Sequence, residues 1–449
     1  MTESYIQYSK CLAYSTVNRF ADAVTTYYTY LCIQLLNWND MTPPSSFRKL
    51  LFGHLLWSRP LRWLKQVLAE LRRIVLTKGI RGTYRLLGIQ FLTKKQTDDF
   101  LAPFTLVKHP TDAVFLPEVT DAGMSDKVYF PATLAEPEPV AVWKYDVSGK
   151  QAYQLPYGGI VAQQNILCLD VNDVDFFRNT LHRRKRALRH TQTLIAPWSH
   201  YQDGFMWGGY YDFVLLIVGK LCRIKEALPA SDFAEALVAY PLFGTTYERE
   251  YLSLLGITPD QIVDSRTTSV TFDSGVLANV GHWFYPNPTD VHAIRKHILS
   301  QFPAPSDKRN RVYISRAGRR SILNEQELIA LLKTYDFQII DDVPRSVAEQ
   351  IAIYQQADFI IGPHGASMTN ILWCQPGTHL FELFSPAYYP EFFRYMAGLL
   401  GLQYSAYFHG PAETDDWALG LTDNILVSIP EVERYLAVHL TASTAPKAS

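Results

Sequence analysis

Cysteine is scarce in this chain, and its few residues are far apart. There are five among 449 residues, an odd number, and no two of them form a C-x-x-C pair. Disulfide frameworks and structural zinc sites both need clustered cysteines. The sequence therefore excludes both kinds of scaffold, and we expect each cysteine to be a small buried apolar residue of an intracellular protein.

Long apolar segments and a strong net charge are also lacking. The longest apolar runs, such as Phe213–Val218, are far shorter than the roughly 20 residues that cross a bilayer. The first residues show no basic region followed by an apolar stretch, so we expect no secretory signal. A formal net charge of −1 argues against a protein built to bind nucleic acid.

Positive charge is nevertheless concentrated in one region. Residues 47–96 hold twelve lysines and arginines against the single acid Glu70. From Leu61 to Leu76, apolar residues recur at helical spacing with basic residues between them. This pattern is typical of a helix in a membrane interface and equally of a surface helix packed on a domain core. Both interpretations stay open, and an anionic membrane surface is a candidate partner.

One turn has the features of an anion site. Residues 358–361 have strand length, and residues 366–373 have helical spacing, so Gly362-Pro363-His364-Gly365 is a tight strand-to-helix turn. Such a turn directs free backbone N–H groups at an anion, and His364 adds a donor or a group that titrates near neutral pH. We predict that His364, Gly365, Ala366 and Ser367 contact a nucleotide diphosphate.

Three arginines support this prediction. Arg316 ends a β-rich run at residues 311–316, and Arg319 and Arg320 follow it in a basic loop. Open α/β sheets bind ligands at the carboxyl ends of their strands, and arginine forks bind phosphate oxygens in pairs. Helix starts with capping boxes at Asn324 and Ser346, and strands at 337–340 and 380–384, complete a Rossmann-like half-domain.

The order of these motifs resembles the glycosyltransferase 61 family. The resembling motifs are Tyr313-Ile314-Ser315-Arg316, Arg319-Arg320 before Asn324-Glu325, Gly362-Pro363-His364-Gly365-Ala366 with Asn370, and Pro376-Gly377-Thr378 with Glu382. The resemblance covers roughly residues 200–410. It implies an inverting enzyme with an α/β, GT-B-like fold of two Rossmann-like domains facing a cleft. It also implies a nucleotide-sugar donor and no obligatory metal or other cofactor.

The resemblance also assigns residues and domains. The implied donor-binding residues are Arg316, Arg319, Arg320, Asn324, Gly365, Ala366, Ser367, Asn370 and Glu382. For Glu382, which lies in an apolar strand, a ribose diol is a natural partner, whereas Asn324 is explained equally well as a helix cap. We predict a helical basic region over 1–100, an acceptor-side α/β domain over 101–285, a donor domain over 286–410, and a helix with a disordered tail over 411–449.

The catalytic base is harder to assign. The family has a histidine in an aromatic-rich segment that corresponds here to Gly209-Tyr210-Tyr211-Asp212, so aspartate replaces it. Asp212 and His364 are the catalytic candidates, while a satisfied core acid is the other interpretation of Asp212. His200 and Asp203 are the next candidates for the base. Asp173-Val174-Asp175 matches a metal-binding D-x-D pattern, but it stands at a predicted helix start, where acids cap N–H groups. We therefore predict no metal site.

Together these features predict an inverting glycosyltransferase. It would move a sugar from a nucleotide sugar to a bacterial surface glycan, of capsular or lipopolysaccharide type, at the inner face of the cell membrane. The acceptor would be a glycan or a lipid-linked glycan. Two alternatives stay open: a GT-B-like enzyme that transfers another group, such as pyruvyl, onto a polysaccharide, and a non-catalytic scaffold that binds glycan or nucleotide.

Overall fold

The computed structural model describes residues 82, 85–86, 88–121, 127–147, 152–170, 186–198, 209–304, 309–412 and 420–440. The chain divides into two compact units, Met1–Val75 and Leu76–Ser449, and every described residue belongs to the second. Most of the predicted basic region over 1–100 lies outside the described residues, as do Asp173-Val174-Asp175, His200, Asp203 and the predicted tail. No helix in the described ranges is long and apolar enough to cross a membrane.

The first part of the described chain forms a mixed sheet. The strands of this part of the chain, which include those of two small hairpins outside the mixed sheet, are β1 (Gln90–Phe91), β2 (Thr105–His109), β3 (Val114–Leu116), β4 (Val119–Thr120), β5 (Val128–Phe130), β6 (Thr133–Ala135), β7 (Val140–Asp146), β8 (Ala152–Gln154), β9 (Ile160–Ala162), β10 (Asn165–Ile166), β11 (Ala187–Ala196), β12 (Leu237–Tyr240), β13 (Ile262–Asp264) and β14 (Thr268–Ala278). The sheet order is β1-β10-β9-β8-β14-β11-β12-β13, and β7 joins β14 to β2. Because β11 and β14 are parallel, the segments that follow them leave from the same edge of the sheet.

The second part forms a parallel sheet. Its strands are β15 (Asn310–Ile314), β16 (Phe337–Ile340), β17 (Ala357–Pro363), β18 (His379–Leu383) and β19 (Gln403–Tyr407). They lie in the order β16-β15-β17-β18-β19 with every pair parallel. The order reverses between β15 and β17, which leaves a crevice at the carboxyl edge between the loops that follow them. The predicted α/β fold with a parallel sheet is confirmed.

Helices cover both sheets. They are α1 (Lys94–Leu101), α2 (residues 210–227, made of Tyr210–Asp212, the π-helical Phe213–Val218 and Gly219–Ala227), α3 (Ala230–Glu235), α4 (Thr246–Leu254), α5 (Pro288–Leu299), α6 (Glu325–Thr334), α7 (Val347–Gln355), α8 (Phe392–Leu399) and α9 (Ile429–His439). Short 3₁₀ turns occupy Ala102–Phe104 and Pro259–Gln261. Residues 366–373 also form a helix, but it is a 3₁₀ helix, in which the Met368 N–H donates to the Gly365 carbonyl three residues back.

Local sequence accounts for most helix starts. At α7, Ser346 and Glu349 form the predicted capping box. At α6, Asn324 occupies the cap position, but its side chain makes no cap hydrogen bond, so that part of the prediction was wrong. The amide of Asn324 instead donates to the carbonyl of Val427 at 2.9 Å, because the segment before α9 passes beside it.

The two small hairpins, β3 with β6 and β4 with β5, pack on the parallel sheet and on α8. Phe130 of β5 contacts Phe384 edge-to-face, with ring centroids 5.9 Å apart. Arg394 of α8, buried, donates to the carbonyls of Leu116 and Pro117 on the β3 side. Residues 114–121 and 127–135, predicted as part of the acceptor-side domain, therefore contribute to the core around the second sheet.

Helix α2 is anchored by buried charges. Its π-helical segment Phe213–Val218 is at most 3% exposed. One turn later, Lys220 pairs with Asp170 at 3.0 Å, and Arg223 lies 3.4 Å from Asp290. Removing one partner of such a buried pair typically costs about 3–5 kcal/mol, because the other charge stays buried. The start of α2, which holds Asp212, is thus attached to a rigid element.

Candidate active site

A cleft forms where the start of α2 faces the carboxyl edge of the parallel sheet. Asp212 lines it from α2, and His364 and Gly365 line it from the turn after β17. Arg319 and Arg320 reach it from the loop after β15. We call this space the first cleft. It brings together both predicted catalytic residues and part of the predicted arginine clamp.

Asp212 is buried but keeps its carboxylate hydrogen-bonded. Its Oδ1 accepts from the Trp283 indole N–H at 2.8 Å, and its Oδ2 accepts from the Gly209 N–H at 3.1 Å. Burial raises the pKa of Asp212 to about 6, although these two hydrogen bonds act in the opposite direction. A carboxylate with this pKa is largely ionised at neutral pH and more basic than usual, which suits a general base.

His364 is held by Glu382 on the neighbouring strand. Its Nδ1 lies 2.5 Å from Oε1 of Glu382, and Oε2 of Glu382 accepts from the Tyr404 hydroxyl at 2.8 Å. Burial lowers the pKa of His364 well below its ordinary value, with Arg320 and Arg316 acting in the same direction. Burial raises the pKa of Glu382 to about 8. At neutral pH a proton therefore lies between Glu382 and Nδ1 of a neutral imidazole, so Nε2 carries the other hydrogen as a donor.

Glu382 is consequently not placed to meet a ribose. Its side chain is fully buried, and His364 and Tyr404 take one carboxylate oxygen each. The carboxylate was expected to need a partner, and the structure supplies two from within the protein. Glu382 can therefore influence a ligand through its neighbours His364 and Arg320.

Arg316 depends on the glycine beside it. Its Nε donates to the carbonyl of Arg319 at 2.8 Å, and Nη1 lies 3.4 Å from the carbonyl of His364. A Cβ at position 365 would overlap the Arg316 guanidinium, so Gly365 provides the space for it. Burial and the charges of Arg320 and Arg319 lower the pKa of Arg316 to about 10. Positive charges that repel one another in such a cluster also attract an anion.

Arg320 has a strained backbone and a free nitrogen. Its φ is 60°, in a region where residues other than glycine are uncommon and where strain is often found at functional sites. The side chain is 6% exposed, and its guanidinium lies 5.2 Å from the ring centroid of Tyr388. Among the described residues Nε of Arg320 has no hydrogen-bond partner. Arg320 lines the first cleft, where its positive charge favours an anion.

Two predicted donor-binding residues are engaged within the protein. Asn370 is buried, where its Oδ1 accepts from the Tyr210 hydroxyl at 2.7 Å and its amide donates to Gln350 at 2.7 Å. It therefore joins the start of α2 to the turn after β17. Asn324 binds Val427, as described above, away from the first cleft. Of the backbone sites, Gly365 and Ala366 line the first cleft, whereas Ser367 lines an adjoining one.

Sequence reasoning missed the aromatic wall of the first cleft. Trp283, Tyr388 and Phe392 line it together with Tyr211. Phe284 stacks on Phe392 with ring centroids 4.6 Å apart. The available signal was four consecutive aromatic residues at 282–285, in the loop after β14. Residues with π faces beside a polar group are typical of sites that bind small ligands.

The adjoining second cleft lies at the carboxyl ends of β15 and β16. The loop that contains Asp341 and Arg345 lines one side of it, and Tyr210 and Tyr247 line the other. Its volume is about 350 Å³, compared with about 130 Å³ for the first cleft. In the part of the chain that the structure describes, no group of three or more histidine, cysteine or carboxylate side chains is placed to hold a metal ion.

Comparisons with known proteins identify the family of this chain. The family described as Glycosyltransferase 61 matches residues 97–381, more than half of the chain. The chain is similar to EGF domain-specific O-linked N-acetylglucosamine transferases of Drosophila melanogaster (33% identical over 107 residues), Pan troglodytes (33% over 104) and Mus musculus (31% over 104). These matches cover 23%, 21% and 21% of this chain, and only 20% of the length of each relative. The family match includes the turn after β17 and the basic loop after β15, and it shows that the chain belongs to the glycosyltransferase 61 family.

Proposed function

We propose that this enzyme transfers a sugar from a nucleotide-sugar donor to an acceptor hydroxyl by a single displacement that inverts the anomeric centre. We also propose that its two sheets belong to GT-B-like domains that face the first cleft. The observation that carries the proposal is the presence of Asp212 in the same cleft as His364, Arg319 and Arg320. A base and an anion-binding group are the two things that such a displacement requires.

The chemistry follows from the two sides of the cleft. The acceptor oxygen attacks the anomeric carbon while the bond from that carbon to the diphosphate oxygen breaks. The proton of the acceptor hydroxyl passes to Asp212. The negative charge left on the diphosphate is stabilised by Arg316, Arg320 and the first N–H groups of the 3₁₀ helix, and Nε2–H of His364 donates to the leaving group. These cations lead us to propose that turnover needs no metal.

The acceptor is proposed by chemical class. Trp283 and Phe392 line the first cleft together with Asp212, and the apolar face of a sugar ring packs well on an aromatic wall. We therefore favour a carbohydrate hydroxyl. The relatives are animal proteins, so they give no support to the bacterial surface glycan that the sequence predicts. Their name points to a second acceptor for testing, a hydroxyl of an EGF-like domain.

Association with a membrane also stays a proposal. The basic segment at residues 47–96 would hold the enzyme at an anionic cytoplasmic surface, where a lipid-linked acceptor is presented. Salt-sensitive cosedimentation with anionic liposomes, and none with neutral liposomes, is the expected result.

Thermal shift against a panel of nucleotide sugars tests the donor. A ligand that binds only the native state raises the melting temperature, so one nucleotide sugar should stand out from the others. Turnover of that donor, followed by NMR of the product, should show an inverted anomeric configuration. Retention of configuration would contradict the single displacement. Donor binding without turnover on any carbohydrate or EGF-domain acceptor would favour the non-catalytic scaffold.

A further inference from the structure

The second cleft has the size and place of a ligand site. Its volume of about 350 Å³ falls within the range of roughly 300–1,000 Å³ that is usual for small-molecule pockets. It opens at the carboxyl ends of β15 and β16, next to the switch in strand order where doubly wound sheets bind nucleotides. The function proposed above leaves this space unused.

The two clefts are joined at the turn after β17. Gly365 and Ala366 line the first cleft, and the next residue, Ser367, lines the second. A diphosphate held by the N–H groups of these residues and by Arg316 would therefore lie between the two spaces. Because Asp212 is in the first cleft, the sugar of the donor belongs there, and the other end of the donor extends into the second.

The carboxylate of Asp341 stands where a ribose would be recognised. Asp341 follows β16 directly and is exposed in the second cleft. Among the described residues, no hydrogen-bond partner is recorded for its side chain, whereas Asp342 accepts from the Ala317 N–H at 2.7 Å and holds the loop in place. In sheets of this kind, an acid at the end of the second strand accepts hydrogen bonds from ribose hydroxyls.

Tyr247 provides an aromatic surface on the opposite side. It is half-buried and meets Tyr210 edge-to-face, with ring centroids 5.1 Å apart. The hydroxyl of Tyr210 is already bonded to Asn370 and Tyr251, so Tyr210 is fixed and supports the Tyr247 ring. Every nucleobase has a π face that stacks on such a ring.

We propose that the second cleft binds the ribonucleoside of the donor, with Asp341 accepting from the ribose hydroxyls and Tyr247 stacking on the base. This inference rests on the proposed use of a nucleotide-sugar donor. It gives the ribose a partner in place of Glu382, whose oxygens are taken by His364 and Tyr404.

Calorimetry with nucleoside diphosphates tests this assignment. UDP, GDP, ADP and CDP are titrated into the full-length protein, followed by the 2′-deoxy form of the tightest ligand and by inorganic pyrophosphate. We expect the wild type to prefer the ribonucleotide over its 2′-deoxy form by roughly tenfold, the usual effect of one charged hydrogen bond. Asp341→Asn should weaken binding of the ribonucleotide about tenfold and remove the preference over the 2′-deoxy form. Binding of pyrophosphate should stay unchanged.

Two control variants separate the cleft from general effects. Asp358→Asn removes an exposed carboxylate at the opposite, amino edge of the same sheet, and it should bind like the wild type. Tyr247→Phe keeps the ring and should bind every nucleoside diphosphate normally. Tyr247→Ala should weaken the binding of every nucleoside diphosphate and leave the binding of pyrophosphate unchanged. Circular dichroism and melting temperature confirm that each variant is folded.

The outcomes distinguish this inference from the proposed function. If none of the four diphosphates binds the wild type, the nucleotide donor itself is overturned. If one binds the wild type and binds Asp341→Asn and Tyr247→Ala equally well, the second cleft is not the nucleoside site and the proposed function stands. An equal loss of pyrophosphate binding in Asp341→Asn would show that the loop acts on the diphosphate, and it would also overturn the assignment.

Discussion

The two walls of the first cleft have opposite chemistry. The wall on the parallel sheet is basic: Arg319 and Arg320 line it, and Arg316 lies beside them, where burial and the charges of Arg320 and Arg319 lower the pKa of Arg316 to about 10. The wall from α2 is acidic and aromatic. There the pKa of Asp212 is raised to about 6 by burial and moderated by hydrogen bonds from Trp283 and Gly209. One wall is suited to an anion that leaves, and the other to a hydroxyl that loses its proton.

The separation of Asp212 from the arginines affects how well it can act as a base. A carboxylate in direct contact with arginine has its pKa lowered by about 1–3 units and becomes a poor base. Asp212 is instead held by the neutral donors Trp283 and Gly209, so it stays basic while the arginines remain available to the diphosphate.

The largest effect is expected at the acidic wall. Asp212→Asn keeps the size of the side chain but cannot accept a proton at neutral pH, so kcat should fall by roughly 10²–10⁴. Donor affinity, measured by calorimetry, should stay unchanged because the basic wall is intact. Asp260→Asn, on an exposed surface, is the matched control and should be fully active. Near-normal turnover in Asp212→Asn would remove this residue from the mechanism and direct attention to His200 and Asp203.

The next effect is expected at the basic wall. Arg316→Ala removes a charged donor from the diphosphate and should weaken nucleotide-sugar binding by about 1.5–3 kcal/mol, or about 10- to 150-fold. Gly365→Ala should do the same without removing any charge, because its Cβ displaces the Arg316 guanidinium. Lys333→Ala, which removes an exposed charge from α6, is the control. Equal donor affinity in all three variants would show that the arginines do not hold the diphosphate.

The basic wall could be largely predicted from the sequence, and the acidic wall could not. Strand β16 matches the predicted residues 337–340, and the capping box at Ser346 is present, because both depend on neighbours within a few residues. The basic loop and the turn after β17 follow from the same local patterns. The aromatic segment at 209–212 singled out Asp212 only as one candidate among several.

The missed features are long-range contacts. Trp283 binds Asp212 across 71 positions of the chain, and Arg394 binds the carbonyl of Leu116 across 278. One partner of Glu382 is His364, in the turn after the adjacent strand, and this contact becomes visible only when the order of β17 and β18 is known. Spacing patterns report which face of an element is buried, but they do not report what covers it.

A smaller effect is expected from the pair that joins His364 to Glu382. Activity needs Asp212 ionised, so it should fall as the pH drops through about 6. It also needs a proton on the Glu382 side of His364, which keeps Nε2–H as a donor, so it should fall again as the pH rises through about 8. The profile of kcat against pH should therefore be bell-shaped.

Glu382→Gln tests the upper limb of that profile. The amide of glutamine donates to Nδ1 at every pH, so Nε2–H of His364 should persist and the fall near pH 8 should disappear. At pH 7 the variant should keep kcat within about tenfold of the wild type, since a neutral hydrogen bond replaces a neutral one. Asp212→Asn should in turn lose the lower limb. An unchanged upper limb in Glu382→Gln would assign that pKa to another group.

The smallest effect is expected from removing metal ions. If Arg316, Arg320 and the N–H groups of the 3₁₀ helix stabilise the leaving diphosphate, the basic wall supplies the charge that a divalent cation supplies elsewhere. Turnover in excess EDTA should then equal turnover in buffer, and added Mn²⁺ should not raise it. Asp173→Asn should likewise be neutral. Loss of activity in EDTA with recovery in Mn²⁺ would mean that the arginines alone do not stabilise the diphosphate. A parallel loss of activity in Asp173→Asn would identify Asp173-Val174-Asp175 as the metal site. The stabilising charge would then lie away from the basic wall.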